Sequence, residues 1–447
     1  MASQPDKKIK NHPREFRSMQ VLKVIRWTAA ASIAIASLYP SQTAQADDWP
    51  TFRGSQRTAV ASDTNLLTSW PKNGPKLVWE TAGAGRGYAS IAVAGNRLYT
   101  LGDGLSTASD KDEYLTCFDR QTGKPLWKTK TGPAWQEMQP DWHSSRSTPT
   151  VDGSMVYVIA PKGVLVACNT TDGKEVWRKD LAAEFGGKKA DPWGYSESVL
   201  IDGEHLICTP GGEKATMVAL DKKTGSDIWT AASEGDIGAG HASIVMSKVG
   251  LSTVYVQTTG SGALGVSAKD GQVLWSYPIS KTTAVIPTPI VRDDLVFFSV
   301  GYGQGGALLQ QVAEGGGVSI KEVYGINKKL GNKHGGVILI GDYLYGDADD
   351  RGTPFCADLM TGDIKWQGRG PGKGSAVVIG GDDMLYIQFQ DGILALVNAD
   401  PKAYSIVSEF KIPGSGDRPS WAHPSIADGK LFVRSQDKLL CYDIAGN

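Results

Sequence analysis

Six tryptophans, Trp79, Trp127, Trp177, Trp229, Trp275 and Trp366, follow one another at steps of 48, 50, 52, 46 and 91 residues, the last step being two periods with one mark missing. A period this regular makes the chain a tandem array, in which each unit buries its apolar face against the next. Five of the tryptophans close the same phrase of polar residue, glycine and tryptophan at fixed spacing: Asp119-Gly123-Trp127, Asn169-Gly173-Trp177, Asp221-Gly225-Trp229, Ser267-Gly271-Trp275 and Asp358-Gly362-Trp366. Glycine supplies positive φ in a tight turn, and the Asp, Asn or Ser before it bonds the turn backbone. The phrase therefore predicts a hairpin with tryptophan on its second strand.

Each period reads as four short strands with almost no helical periodicity between them. In the first these are Ala89–Ala94, Arg97–Leu101, Tyr114–Asp119 and Pro125–Lys130; in the second, Ser147–Val151, Met155–Ala160, Val164–Asn169 and Glu175–Lys179. Ser198, Ser243, Pro289, Val337, Ala376 and Pro424 open the remaining six. Two copies lack the tryptophan: Ile320 follows the hairpin of the fifth, and Ile406 falls at the expected position in the seventh. The eighth ends inside its own turn after Cys441-Tyr442-Asp443, whereas Leu77–Thr81, carrying Trp79, is an outer strand without a sheet. Pairing the two closes a ring and removes an exposed edge, which an open solenoid or a pair of sandwiches would not require. The expected fold is all-β, an eight-bladed β-propeller of four-stranded blades over residues 77–447, its tryptophans docking blade on blade, with 47–76 as a lead-in.

Residues 1–46 read as a signal peptide. A basic leader runs from Lys7 to Arg26, an apolar run from Trp27 to Leu38, and Ala44-Gln45-Ala46 matches a cleavage site. The apolar run falls short of the roughly 20 residues of a membrane helix, the alternative reading; Met19 is a second candidate start. With no cysteine before Cys117, the expectation is a soluble, exported, periplasmic or secreted monomer rather than a lipoprotein. Its 46 basic and 47 acidic residues give no electrostatic reason to expect nucleic acid. Three of the five cysteines, Cys117, Cys356 and Cys441, share one slot, two residues before the Asp of the phrase. Equivalent slots on neighbouring blades lie beyond disulfide reach, so free buried thiols are expected.

The repeated Ala/Cys-x-Asp-x-x-x-Gly-Lys-x-x-Trp phrase, as in Cys117–Trp127 and Ala219–Trp229, resembles the tryptophan-docking repeat of the pyrroloquinoline quinone (PQQ)-like β-propellers. Trp49-Pro50-Thr51-Phe52-Arg53-Gly54 resembles the lead-in of secreted planctomycete-type members. The family holds quinoprotein alcohol dehydrogenases and the non-catalytic BamB-type scaffold of outer-membrane assembly. Against the dehydrogenases, this chain has neither adjacent cysteines nor a Cys-x-x-Cys-His haem motif. Against the scaffold, it lacks the anchor cysteine. No cofactor is therefore expected; PQQ and Ca²⁺ remain the alternative, with a carboxylate base.

Residues just before the innermost strands face the mouth of a propeller channel. Tyr88-Ala89-Ser90, His241-Ala242-Ser243 and His423-Pro424-Ser425 superpose there, with Ser147 and Glu197 in the same slot and His334 within one residue. His143, Arg86, Trp142, Arg146, Trp193, Tyr195, Lys373 and Trp421 complete a candidate funnel. It reads in three ways: a structural rim; a site for an envelope protein, peptide, glycan or small ligand, with indoles as stacking faces; or a metal or quinone site, for which no local ligand spacing speaks. The preferred reading is a binding or scaffold propeller, non-catalytic; the alternative is a PQQ-dependent alcohol or sugar dehydrogenase with Glu197 as base. Gly301–Gly306 reads as an inter-strand loop, Asp347–Asp350 as a solvated loop, and Asn169-Thr170-Thr171 as either a glycosylation site or a turn.

Overall fold

A computed structural model describes residues 48–104, 111–279 and 282–446; the expected signal peptide lies outside them. Eight antiparallel four-stranded sheets form the ring. Blade one comprises Ala92–Ala94, Arg97–Asp103, Asp112–Asp119 and Pro125–Pro133, and blade two Thr150–Asp152, Met155–Ile159, Val164–Asn169 and Glu175–Asp180. Blades three to seven follow in chain order, opening at Leu200, Val245, Ile290, Ile338 and Ala376. Blade eight takes its inner strands from Ser425–Ala427, Lys430–Ser435 and Lys438–Asp443 and its outer strand from Lys76–Thr81, with Trp79 opposite Cys441. Among the described residues no helix is long and apolar enough to cross a membrane.

The tryptophans clamp blade to blade. Trp127 donates its indole N–H to the Thr170 carbonyl (3.1 Å) and lies over the Gly173 turn, where a Cβ would come within 2.4 Å of the ring. Trp79, Trp177 and Trp366 repeat the bond to Arg120, Lys222 and Asp400. Trp229 stacks on Tyr255 of the next blade, and Trp275 donates to the Gln311 side chain. All five cysteines are free and buried on strands of five different blades.

The two exceptional blades differ from the sequence reading. In blade five the position facing Leu308 is Tyr324, not Ile320, because the hairpin runs on to Glu314 and Gly317 before it turns. Tyr324 covers Gly362 as a tryptophan would. In blade seven the docking register belongs to Ser408 rather than Ile406. There Trp70 of the lead-in packs on Tyr386 (5.7 Å) and Phe410 (5.6 Å), its backbone N–H donating to Ser408 Oγ at 2.8 Å. One indole thus replaces another from a remote part of the chain.

The innermost strands begin later than the sequence suggested, at Ala92 rather than Ala89 and at Thr150 rather than Ser147. The residues before them serve the neighbouring blade instead of their own ladder. Backbone N–H groups of Ser90, Thr148, Ser198 and Ser243 donate at 3.0–3.1 Å to the hydroxyls of Thr148, Ser198, Ser243 and Thr288 in turn, and His423 donates to Ser90 Oγ at 2.9 Å. This hydroxyl belt satisfies backbone that has no partner strand, a necessity wherever buried N–H groups face a channel.

The lead-in enters that channel. Val60–Ala61 pairs in parallel with Gly380–Gly381, the innermost strand of blade seven. Arg57, buried, donates to the carbonyls of Ser198, Val199 and Ile244, and Arg53, also buried, to those of Gly335 and Val337. Two guanidiniums, with no carboxylate in direct contact among the described residues, thus tie blades three, four and six to a central plug through charge-assisted bonds. Burial lowers both pKa values to about 10, leaving the cations charged at neutral pH.

Candidate functional site

Cross-strand pairing gives the blades a common register. Ala92, Thr150, Leu200, Val245, Ile290, Ile338 and Ser425 each sit on the row that leads outward through the second and third strands to the docking aromatic. Four residues before each lie Tyr88, Arg146, Ser196, His241, Ile286, His334 and Trp421, and all of these line one cavity of about 580 Å³. The arrangement follows from strand periodicity: residues an even number apart share a face, and on this face they point into the channel mouth.

Phe52 of the plug lines the cavity beside His423, its ring 4.9 Å from the imidazole. Trp142 and Trp193, from the overhanging loops of blades two and three, meet edge to face at 6.1 Å. His334 stacks on Trp421 (4.6 Å), and Trp421 meets Tyr88 at 4.9 Å. Arg146 is held by the carbonyls of Trp142, Ser144 and Trp193 and lies 5.5 Å from the Tyr88 ring and 5.4 Å from the Trp135 ring. Tyr302, Lys333 and Asp350 add a wall from the blade five and six loops, with Lys333 and Asp350 paired at 2.5 Å. Burial depresses the imidazoles, His241 to about 4 and His423 to about 3, with His334 also well below its ordinary value. The three are neutral at physiological pH, so they add no charge to an aromatic wall whose charged side chains are Asp141, Arg146, Lys333 and Asp350.

Eight of the expected funnel residues, Tyr88, Trp142, Arg146, Trp193, His241, His334, Trp421 and His423, come together here. Four do not line the cavity. Arg86 is turned to Asp103 in an ion pair at 2.7 Å. His143 lies behind, edge-on to Trp135. Tyr195 is buried against Gly163 with its hydroxyl on the Pro210 carbonyl, and Lys373 is exposed elsewhere. Glu197 is the main correction. It stands one residue beyond the channel-facing position, which Ser196 holds, and a one-residue slip turns a strand side chain to the opposite face. Its buried carboxyl accepts from Thr209 N–H (2.7 Å), Thr209 Oγ1 (3.1 Å) and Gln257 Nε2 (3.4 Å). Burial pushes its pKa up to about 8. His423 is two residues beyond the same position, hence on the channel face but one step deeper.

These placements also test the quinone alternative. A quinone with Ca²⁺ needs carboxylate and amide oxygens facing the cavity, and Glu197, the expected base, faces away. Asp347 is buried, accepting from Thr353 N–H and Ala376 N–H, and Asp349 accepts from Tyr302 and Gly303, so this loop is not the solvated one expected. Among the described residues no three His, Cys, Asp or Glu side chains gather as metal ligands. The oxygens that do line the cavity, on Asp141, Asp350 and Gln390, form no such set, Asp350 being paired with Lys333, so the residues present do not fit the cofactor.

A family model described as "Outer membrane protein assembly factor BamB" matches residues 111–368. Relatives of that name are 25% identical in Salmonella typhimurium, over 71% of this chain and 87% of that protein, and 24% identical in Escherichia coli, over 76% and 94%. The Yersinia pestis relative is 26% identical, and there the match spans only 55% of the relative's length. Among solved structures, BamB from Moraxella catarrhalis aligns with TM-score 0.56 at 16% identity, covering 83% of this chain and 98% of that one. Quinohemoprotein alcohol dehydrogenase from Comamonas testosteroni aligns with TM-score 0.56 at 15% identity, covering 90% and 81%. At such identities the structural likeness speaks for the fold alone.

Proposed function

The chain belongs to the PQQ-like propeller family described as outer membrane protein assembly factor BamB, and from that premise we propose that it is an envelope scaffold that holds a segment of an assembly partner in its funnel. The observation that carries this reading is the convergence of seven side chains, one from each of seven blades, on a single aromatic cavity floored by the plug. Indole and phenol faces grip apolar or ring-bearing groups with little loss of side-chain freedom. Neutral imidazoles add hydrogen-bonding groups without charge. Export to the periplasm is part of the proposal, supported by the basic-apolar leader and its cleavage motif.

The test is capture from native envelopes with tagged full-length protein and with a Trp193→Ala, Trp421→Ala variant. A component of the outer-membrane assembly machinery should copurify with the first and be lost from the second. Equal recovery with both, or no such component with either, overturns the reading.

A further inference from the structure

Ser196 of blade three and His241 of blade four are neighbours in the ring of cavity-facing positions, and their side chains touch: Ser196 Oγ lies 2.6 Å from His241 Nδ1. The other ring nitrogen, Nε2, lies 3.0 and 2.9 Å from the two carboxylate oxygens of Asp191. Asp191 is 8% exposed and His241 9%, whereas Ser196 is half-buried at the cavity wall. Asp191 is itself oriented: its Oδ1 accepts from Trp193 N–H at 3.1 Å, and Lys189 Nζ stands 3.9 Å from Oδ2. The carboxylate accepts a hydrogen bond from Nε2–H, which fixes the tautomer and leaves the Nδ1 lone pair for the serine hydroxyl.

We propose that Ser196, His241 and Asp191 form a nucleophilic relay that cleaves carboxylic esters held in the funnel, an activity beyond the scaffold role. The nitrogens are exchanged relative to the usual serine-hydrolase arrangement, in which Nδ1 faces the carboxylate. The chemistry requires only that one ring nitrogen be oriented and the other free to accept. In the first step Ser196 Oγ bonds to the ester carbonyl carbon while its proton passes to His241 Nδ1. As the tetrahedral carbon collapses, the C–O bond to the alcohol breaks and the alkoxide leaves with that proton. Water then attacks the acyl-serine, giving its proton to Nδ1, and the carboxylic acid departs as Ser196 is restored. Asp191 keeps its negative charge throughout and stabilises the transient imidazolium. Burial alone would raise its pKa, but His241 and Lys189 outweigh that cost and hold it below the ordinary carboxylate value. Arg146, the next residue round the ring from Ser196, puts a positive charge on the same cavity wall, its guanidinium held by the carbonyls of Trp142, Ser144 and Trp193. The substrate class is an ester on an uncharged ring-bearing group, matched by the walls of Trp142, Trp193, Tyr302 and Trp421.

The experiment treats full-length protein with a fluorophosphonate probe, maps the adduct by peptide mass spectrometry, and follows p-nitrophenyl acetate hydrolysis in parallel. A single adduct on Ser196 is expected, with both labelling and hydrolysis abolished in Ser196→Ala and slowed about 10²–10⁴-fold in His241→Gln and Asp191→Asn. Asp191→Asn serves as the second variant if His241→Gln does not fold, each being checked by thermal unfolding. No adduct on Ser196, or the same labelling rate in the folded His241 or Asp191 variant, overturns the relay. Either result leaves the scaffold reading intact, because partner capture is read separately.

Discussion

Replacing Glu197 by Gln isolates the energetic consequence of a carboxyl buried behind the funnel. The folded chain holds the Glu197 proton up to about pH 8, against 4.5 for a glutamate in water. Between those values the unfolded state has released the proton and the folded state has not, so every rise in pH favours unfolding. The stabilisation is fully present below pH 4.5 and is lost as pH climbs through 8. At about 1.4 kcal/mol per pH unit, the full window amounts to about 5 kcal/mol. In the Glu197→Gln variant the side chain has no proton to lose; its amide oxygen keeps the bond from Thr209 N–H, while its NH₂ takes the place of the oxygen that faces Thr209 Oγ1 and Gln257 Nε2, a pH-independent change that leaves the slope of the difference with pH intact. Glu113 and Asp347, also pushed up to about 7 by burial, titrate in both proteins and cancel in the difference. Urea unfolding followed by tryptophan fluorescence at about pH 5, 6, 7 and 8 measures it. The advantage of Glu197→Gln over wild type should grow steadily with pH across that range. A difference that stays flat would refute the assignment of Glu197 as a protonated, structural group.

Gly173→Ala should destabilise by about 2 kcal/mol or more through its clash with Trp127. In a Trp127→Ala background the left-handed backbone cost of about 1 kcal/mol and the close contact with Thr129 Oγ1 at 2.7 Å remain, while the ring clash is gone, so a double-mutant cycle by chemical unfolding should show coupling. A chain beginning at Ala82 lacks both plug and closing strand; light scattering should show aggregation, and a monomer with unchanged melting temperature would contradict the ring closure. Ellman's reagent should find fewer than about one reactive thiol in the native protein, as burial raises Cys117 to about 11 and Cys168 to about 12, and five after denaturation.

The ring and its closure were legible in the chain because they rest on local chemistry. A glycine turn, a docking indole and an unfinished last blade are each visible within one repeat. What escaped was set by register and by distance. The inner strands carry no landmark of their own, so aligning their approaches by resemblance slipped by one residue at Glu197 and by two at His423. The first slip reversed a face, and the second only changed depth. Ser196 and Asp191 were missed for the same reason, although the correct register puts Ser196 beside His241. Phe52, Trp70, Arg53 and Arg57 act on blades far away in sequence, and no periodicity announces such partners. Tyr302 and Lys333 arrive on loops whose paths depend on that same long-range packing.

The stretch that floors the cavity continues directly into the strand that fastens the ring. Hub and rim are therefore finished together, and only once Lys438–Asp443 has been delivered to pair with Lys76–Thr81. Until that moment neither a floored cavity nor a complete perimeter exists, so a C-terminally clipped copy has no working subset of blades to offer. The molecule is assembled as a whole or not at all.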